Sequence, residues 1–126
     1  GALQVGLEEM IEQSNVVSLH VPLTKETYQM VNEEFFKKMK STGFLINTSR
    51  GSVVDQSALK KALTNGQIKG AALDVFSEEP PQDQEFLSLP NLMVTPHIGG
   101  NASESINAMG LSAINHLVSF FSKNPK

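Results

Sequence analysis

Cysteine is absent from the 126 residues, and the 10 basic side chains are outnumbered by 13 acidic ones. Without thiols the chain has no disulfide scaffold, no zinc knuckle and no thiol nucleophile. A net charge of -3 lacks the basic footprint of a nucleic-acid binder and the polybasic run of a protein held at a membrane surface. No apolar run approaches the roughly 18 residues that cross a bilayer. The opening Gly1-Ala2-Leu3-Gln4-Val5 carries no basic segment of the kind that starts a signal peptide, so a cytoplasmic location is expected. His20, His97 and His116 lie far apart with no H-E-x-x-H pair, and no metal centre is expected. No two of the nine glycines lie two positions apart. The G-x-G-x-x-G turn that cradles a dinucleotide pyrophosphate is therefore missing.

What is present, 40% hydrophobic and 18% charged, suits one soluble globular domain. Short apolar runs alternate with amphipathic stretches. Leu7, Met10 and Ile11 predict a helix over 7–14, and Val16-Val17-Ser18-Leu19-His20-Val21 a strand that stops at Pro22. Asn32 is placed to cap a helix whose first turn holds Glu33 and Glu34 and whose apolar face is Phe35, Phe36 and Met39. Phe44-Leu45-Ile46-Asn47-Thr48 predicts the second strand, and Asp55 a cap for a helix with Ala58, Leu59, Ala62 and Leu63 inward and Asn65-Gly66 as its stop. Residues 71–76 predict the third strand and 92–95 the fourth, with no helix expected between those two. A last helix over 103–122, capped by Asn101 with Glu104 three residues later, carries the apolar stripe Ile106, Met109, Ala113, Leu117 and Phe120. Strands without polar alternation, separated by helices, predict a parallel α/β sheet covered on both faces, of the doubly wound kind. Four strands are few for that architecture, and the chain reads as part of something larger.

Each strand ends in a polar cluster: His20 to Thr24, Asn47 to Gly51, Asp74 with Glu78 and Glu79, and Pro96-His97. Open parallel sheets bind ligands outside the carboxyl ends of their strands, so this arrangement is that of an active site. Serine, histidine and acid are all present, but Ser49-Arg50-Gly51 follows Asn47 where a G-x-S-x-G nucleophile elbow needs glycine, which weighs against a hydrolase.

Three strings, Asn47-Thr48-Ser49-Arg50-Gly51, Gly70-Ala71-Ala72-Leu73-Asp74-Val75-Phe76-Ser77-Glu78-Glu79-Pro80 and Thr95-Pro96-His97-Ile98-Gly99-Gly100, resemble the signatures of the D-isomer-specific 2-hydroxyacid dehydrogenases. His20-Val21-Pro22-Leu23-Thr24 resembles the same family at the matching place. The likeness runs along nearly the whole chain, and the phosphoglycerate dehydrogenase-like branch is most similar. It implies an oxidoreductase with a Rossmann-like fold that moves a hydride between NAD or NADP, NAD favoured, and a small 2-keto or 2-hydroxy acid. Arg50 would then grip the substrate carboxylate with its planar fork. His97 would be general acid in reduction and base in oxidation. Glu79, immediately before the proline, would pair with His97 and favour the imidazolium, with Glu78 a solvated neighbour. Asp74 would accept from the nicotinamide carboxamide. Pro22, Thr48, Ser49, Gly99 and Gly100 would line the cofactor through their backbone, beside Arg50 and His97.

With no pyrophosphate turn, the resemblance makes this chain a C-terminal fragment that lacks the first βαβ unit and is inactive in isolation. Residues 1–100 would be the C-terminal portion of an NAD(P)-binding domain. Residues 101–126 would form the helix that returns to a substrate-binding domain, leaving Phe120 and Phe121 exposed. The parent would be a homodimer, with no nucleic-acid or membrane partner. Phosphoglycerate, hydroxypyruvate and glyoxylate all remain open as substrates. The rival reading is a non-catalytic, cofactor-sensing transcriptional partner on the same fold.

Overall fold

Four short strands pair edge to edge in a computed structural model that describes residues 1–123. In chain order the elements are α1 (Leu7–Gln13), β1 (Val16–Leu19), α2 (Glu33–Lys38), β2 (Phe44–Asn47), a 3-10 turn (Gly51–Val53), α3 (Gln56–Thr64), β3 (Gly70–Leu73), α4 (Gln84–Leu87), β4 (Leu92–Val94) and α5 (Ser103–Lys123). The sheet runs β1-β2-β3-β4, every pair parallel. Val17, Leu45 and Ala71 stand level with one another, as do Leu19, Asn47 and Leu73. Parallel neighbours in sequence order put all four carboxyl ends on one edge of the sheet, the geometry the polar clusters call for.

Local chemistry sets the helix boundaries as the sequence predicts. Asn32 Oδ1 accepts from the N–H groups of Glu34 and Phe35 at 3.0 and 3.2 Å, and Asp55 Oδ1 from those of Ser57 and Ala58 at 3.0 and 3.1 Å. These caps satisfy donors that the first helical turn leaves orphaned. Gly66 takes φ +65° after α3, a conformation that glycine adopts without a Cβ penalty. The core forms where Val17, Leu19, Leu45, Ala71 and Leu73 meet Ile11, Phe35, Phe36, Leu59, Ala62 and Leu63.

Four expectations need correction. The sheet is covered on one face alone among the described residues: Val16, Ser18, Phe44 and Met93 are exposed on the other, and Ile46 and Ala72 are half-buried. Apolar side chains at both pleat positions suggest two buried faces, but α1, α2 and α3 all pack on one. A helix does separate β3 from β4, since Asp83 Oδ1 accepts from Phe86 N–H at 3.0 Å and starts α4, which buries Phe86. Asn101 is not the cap of α5: the helix starts at Ser103, and the carbonyl of Ala102 takes the first helical bond, from Ile106. β3 is also shorter than expected. It leaves the ladder once Asp74 N–H has bonded the Asn47 carbonyl, so Val75 is buried outside the strand.

The long α5 has no buried residue, and Phe120 and Phe121 stack edge to face at 5.3 Å on its exposed surface. Residues 124–126 of the expected returning segment lie outside the described residues. Among the described residues, no helix is long and apolar enough to cross a membrane.

Phe36 is wholly buried under the sheet, so Phe36→Ala should cost about 3–5 kcal/mol of folding stability. Asn32→Ala, which removes only a cap, should cost about 1 kcal/mol. Urea midpoints at constant slope check both, and equal costs would contradict the assignment of core and cap.

Candidate active site

The loop after β2 is shaped by one buried amide. Asn47, 1% exposed, accepts at Oδ1 from the Ser49 N–H (3.0 Å) and Ser49 hydroxyl (2.9 Å), and its Nδ2 donates to the Arg50 carbonyl at 3.0 Å. The turn Thr48-Ser49-Arg50 is thereby wrapped around a side chain that water cannot compete for. Arg50 emerges exposed, with Nη1 donating to the Ser49 carbonyl at 2.7 Å. Among the described residues no carboxylate pairs with it. A crevice of about 570 Å3 opens here, lined by His20, Val21, Pro22, Leu23, Thr48, Ser49 and Arg50. A guanidinium with no internal anion beside such a crevice suits an anionic ligand.

Gly51 explains the next step. A Cβ there would stand 1.8 Å from the Phe76 carbonyl carbon, so the two loops touch backbone to backbone and only glycine fits. Phe76 N–H in turn donates to Glu79 Oε1 at 3.0 Å, folding the glutamate back over the end of β3. The other oxygen, Oε2, meets His97 Nδ1 at 2.8 Å. An ionised carboxylate only accepts, so Nδ1 carries the hydrogen and Nε2 is left to exchange a proton with a ligand. The two side chains, 50% and 38% exposed, border an apolar cleft of about 390 Å3 with Phe76, Pro80, Pro81, Leu87, Val94 and Pro96. Glu78 has no part in the pair. Bonds from His97 first, and then from the Phe76 N–H, hold the Glu79 carboxyl below the usual carboxylate range.

His97 itself sits at φ +54°, a conformation uncommon for a residue with a Cβ. Its N–H bonds the Thr95 carbonyl at 3.0 Å across Pro96, and the Asn101 N–H bonds the Ile98 carbonyl at 3.0 Å. Asp74 lies under this double turn, 6% exposed. Its Oδ1 accepts from the Thr95 hydroxyl and from Ile98 N–H (2.9 Å), and Oδ2 from Gly99 N–H (2.8 Å). Those bonds, the Thr95 hydroxyl foremost, hold its carboxyl below the usual range.

The structure thus brings Glu79 to His97, Asp74 to Gly99, and Arg50 to Pro22, Thr48 and Ser49. No hydrogen bond or ion pair joins Arg50 to His97 or Glu79 among the described residues. Two residues escape a reading by chemical type: Asn47, the first letter of a motif whose later letters draw the eye, and Thr95, which looks like an ordinary strand end. A polar residue at an inward pleat position, as Asn47 occupies, is the available clue. Gly100, with nothing within 4 Å of a built Cβ, stands open to a ligand, whereas the Gly99 N–H is spent on Asp74. Among the described residues no group of three or more metal-ligating side chains is present.

Residues 1–99 match the family described as "D-isomer specific 2-hydroxyacid dehydrogenase, NAD binding domain". The chain belongs to this family. A glyoxylate reductase of Korarchaeum cryptofilum is 49% identical over 121 residues, covering 95% of this chain and 36% of the relative. Among solved structures, a D-lactate dehydrogenase from Aquifex aeolicus complexed with NAD and lactic acid superposes with TM-score 0.87 at 34% identity, over 98% of this chain and 42% of that one. An NADPH-dependent glyoxylate/hydroxypyruvate reductase from Sinorhizobium meliloti, with NADP and malonate, gives 0.86 at 39% identity, over 92% and 36%. The chain spans about a third of the length of such curated relatives. Membership settles the fold class as the Rossmann-like sheet of an NAD-binding domain.

Two outcomes test the geometry. Gly51→Ala should dismantle the loop pair, because its Cβ meets backbone that cannot move aside; a loss of several kcal/mol is expected, on the scale of about 1–3 kcal/mol for overpacking and more where nothing yields. A thermal melt unchanged from wild type would refute the contact. Asp74 and Glu79 both have lowered carboxyls, so the stability they add is complete above about pH 4.3 and is lost as the pH falls through their lowered values. The stability gap between wild type and Asp74→Asn should accordingly be constant near neutrality and shrink on acidification, as read by urea denaturation across pH.

Proposed function

We propose that the protein carrying this chain reduces a small 2-keto acid to the D-2-hydroxy acid, and runs the reverse, with NAD favoured over NADP. The observation that carries the reading is the His97–Glu79 hydrogen bond. The partners are 18 residues apart and come from the loops after β3 and β4, so nothing local obliges them to meet. An acid–base histidine oriented by a carboxylate at the carboxyl ends of a parallel sheet is the apparatus that carbonyl reduction requires.

The crevice beside Arg50 fits one end of a dinucleotide. Pro22 and Thr48 line it exposed, Ser49 half-buried, and Gly100 has space for close approach. We assign Pro22, Thr48, Ser49, Arg50, Asp74, His97, Gly99 and Gly100 to its surroundings. The pyrophosphate turn is not among the residues of this chain. When bound, a reduced nicotinamide supplies the hydride to the carbonyl carbon. Arg50 holds the substrate carboxylate and turns the carbonyl toward the histidine. His97 Nε2 gives a proton to the carbonyl oxygen in reduction and takes it from the hydroxyl in oxidation. Glu79 keeps the imidazole in one tautomer, with the hydrogen on Nδ1. We read residues 1–100 as part of the cofactor domain and 101–126 as a helix reaching toward a substrate domain, supported by an α5 that buries nothing here. A homodimeric, cytoplasmic parent completes this reading, with glyoxylate, hydroxypyruvate and phosphoglycerate as the substrates to try first.

The test is turnover of NADH by the full-length protein with those 2-keto acids. Cofactor binding without turnover of any of them would favour the sensing module. Arg50→Lys should lower kcat/KM by about a hundredfold, because an ammonium cannot reproduce the two-point grip. Glu79→Gln should lower kcat in both directions, because the ring loses the carboxylate that orients it, while Glu78→Gln leaves both in place. Equal behaviour of the two glutamine variants would remove the pair from the mechanism.

A further inference from the structure

One wall of the crevice beside Arg50 is the loop after β1, with Pro22 and Leu23, and the other is the turn of Thr48, Ser49 and Arg50 after β2. Strand pairing fixes the roots of the two loops but not the gap between their tips. A run of hydrogen bonds does that. The Thr27 hydroxyl donates to the Pro22 carbonyl at 2.6 Å and accepts from the Thr24 N–H at 2.8 Å, which folds the first wall onto residue 27. Two residues on, the Gln29 N–H donates at 2.9 Å to the carbonyl of Ser52, in the 3-10 turn that follows Arg50. The Val31 N–H reaches the Val53 carbonyl at 3.2 Å, and the Asp55 N–H returns to the Val31 carbonyl at 2.9 Å. The first wall is thereby tied to the second. Gln29 makes the tie at φ +50°, a left-handed conformation that a Cβ disfavours. Its side chain is exposed, whereas Val31 just beyond it is wholly buried. Backbone strain of this kind persists only where its surroundings dictate it, and here they are the bond to Ser52 and the burial of Val31.

We propose that Gln29 is a positioning residue, whose left-handed backbone ties the loop after β1 to the turn after Arg50 and sets the width of the crevice before a ligand arrives. The proposal rests on the reading of that crevice as holding one end of a dinucleotide. Preorganisation of this sort is felt in binding rather than in chemistry. A loop that is untied part of the time must be drawn back, and the apparent Kd rises by the inverse of the tied fraction. The His97–Glu79 pair lies on the loops after β3 and β4, outside the tie.

The experiment compares the full-length wild type with Gln29→Gly, Gln29→Asn, Gln29→Ala and Gln29→Val. Glycine and asparagine accept the left-handed region, alanine less readily, and β-branched valine least. The NADH Kd, read by fluorescence titration, should stay within about twofold of wild type in Gln29→Gly and Gln29→Asn. In Gln29→Val it should rise by about tenfold, the effect of roughly one loop in ten remaining tied. Gln29→Ala should fall between, and kcat at saturating NADH should stay within about twofold throughout. Amide exchange supplies a readout without ligand: protection of the amides of residues 29 and 31 should fall in Gln29→Val and persist in Gln29→Gly. A Kd and a protection pattern in Gln29→Val equal to those of wild type overturn the proposal. So does a Kd that rises as far in Gln29→Gly as in Gln29→Val, which makes the Gln29 side chain a direct contact. A kcat that falls while the Kd holds overturns it as well. Should Gln29→Val fail to fold, Gln29→Ala carries the test, and wild-type Kd and protection there overturn the proposal. Should wild type bind no NADH, the reading of the crevice fails by itself, and exchange at residues 29 and 31 still decides whether Gln29 holds the tie.

Discussion

Backbone packed on backbone at Gly51 and Phe76 is the constraint that makes one site of two separate loops. Arg50 immediately precedes the first residue, and Phe76 donates its N–H to Glu79. A cation and the carboxylate that orients the histidine are therefore fixed relative to each other without touching. Side chains could not make so rigid a joint, because rotamers relax and peptide planes do not. The sheet supplies the rest: β3 is hydrogen-bonded to β2 on one side and β4 on the other, so the loops that carry Glu79 and His97 leave from neighbouring strands.

Asn47 and Asp74 act as a pair of internal templates at that edge. Each is the first residue at or past the end of its strand and each is buried; Asn47 gives its polar atoms to the loop after β2, and Asp74 to the loop after β4. Their backbones are also joined, through Asp74 N–H and the Asn47 carbonyl at 3.0 Å. Buried polar groups are stabilising only when satisfied, and no buried side-chain nitrogen or oxygen among the described residues lacks a partner. The site is shaped by hydrogen bonds it does not spend on ligand.

Much of this was legible in the residues. Caps at Asn32 and Asp55 and the turn at Gly66 follow from local preference, which needs no knowledge of the fold. The choice of Glu79 over Glu78 came from resemblance, and the geometry gives it a physical reason: only Glu79 bonds both Phe76 and His97. The open sheet face was not legible, because pattern reports that Val16 and Phe44 are apolar, not whether anything lies over them. The α4 turn was hidden in an acidic, proline-rich stretch too short for periodicity. The work of Asp74 was hidden for a different reason. A carboxylate at a strand end reads as a ligand-binding group, and its three internal donors are brought to it only by the tertiary fold.

Gly110 lies inside α5, where none of the helix is buried. A glycine there costs about 1 kcal/mol relative to alanine, and most of a helix's stability in a protein comes from packing that α5 lacks here. α5 is thus a thermodynamic unit of its own, able to open at little cost while the sheet and its caps stay closed. Amide exchange along the chain would fall into two classes, slow over β1 to β3 and fast over α5. Slowing of the second class would register anything that comes to lie against the helix, with no change needed in the first.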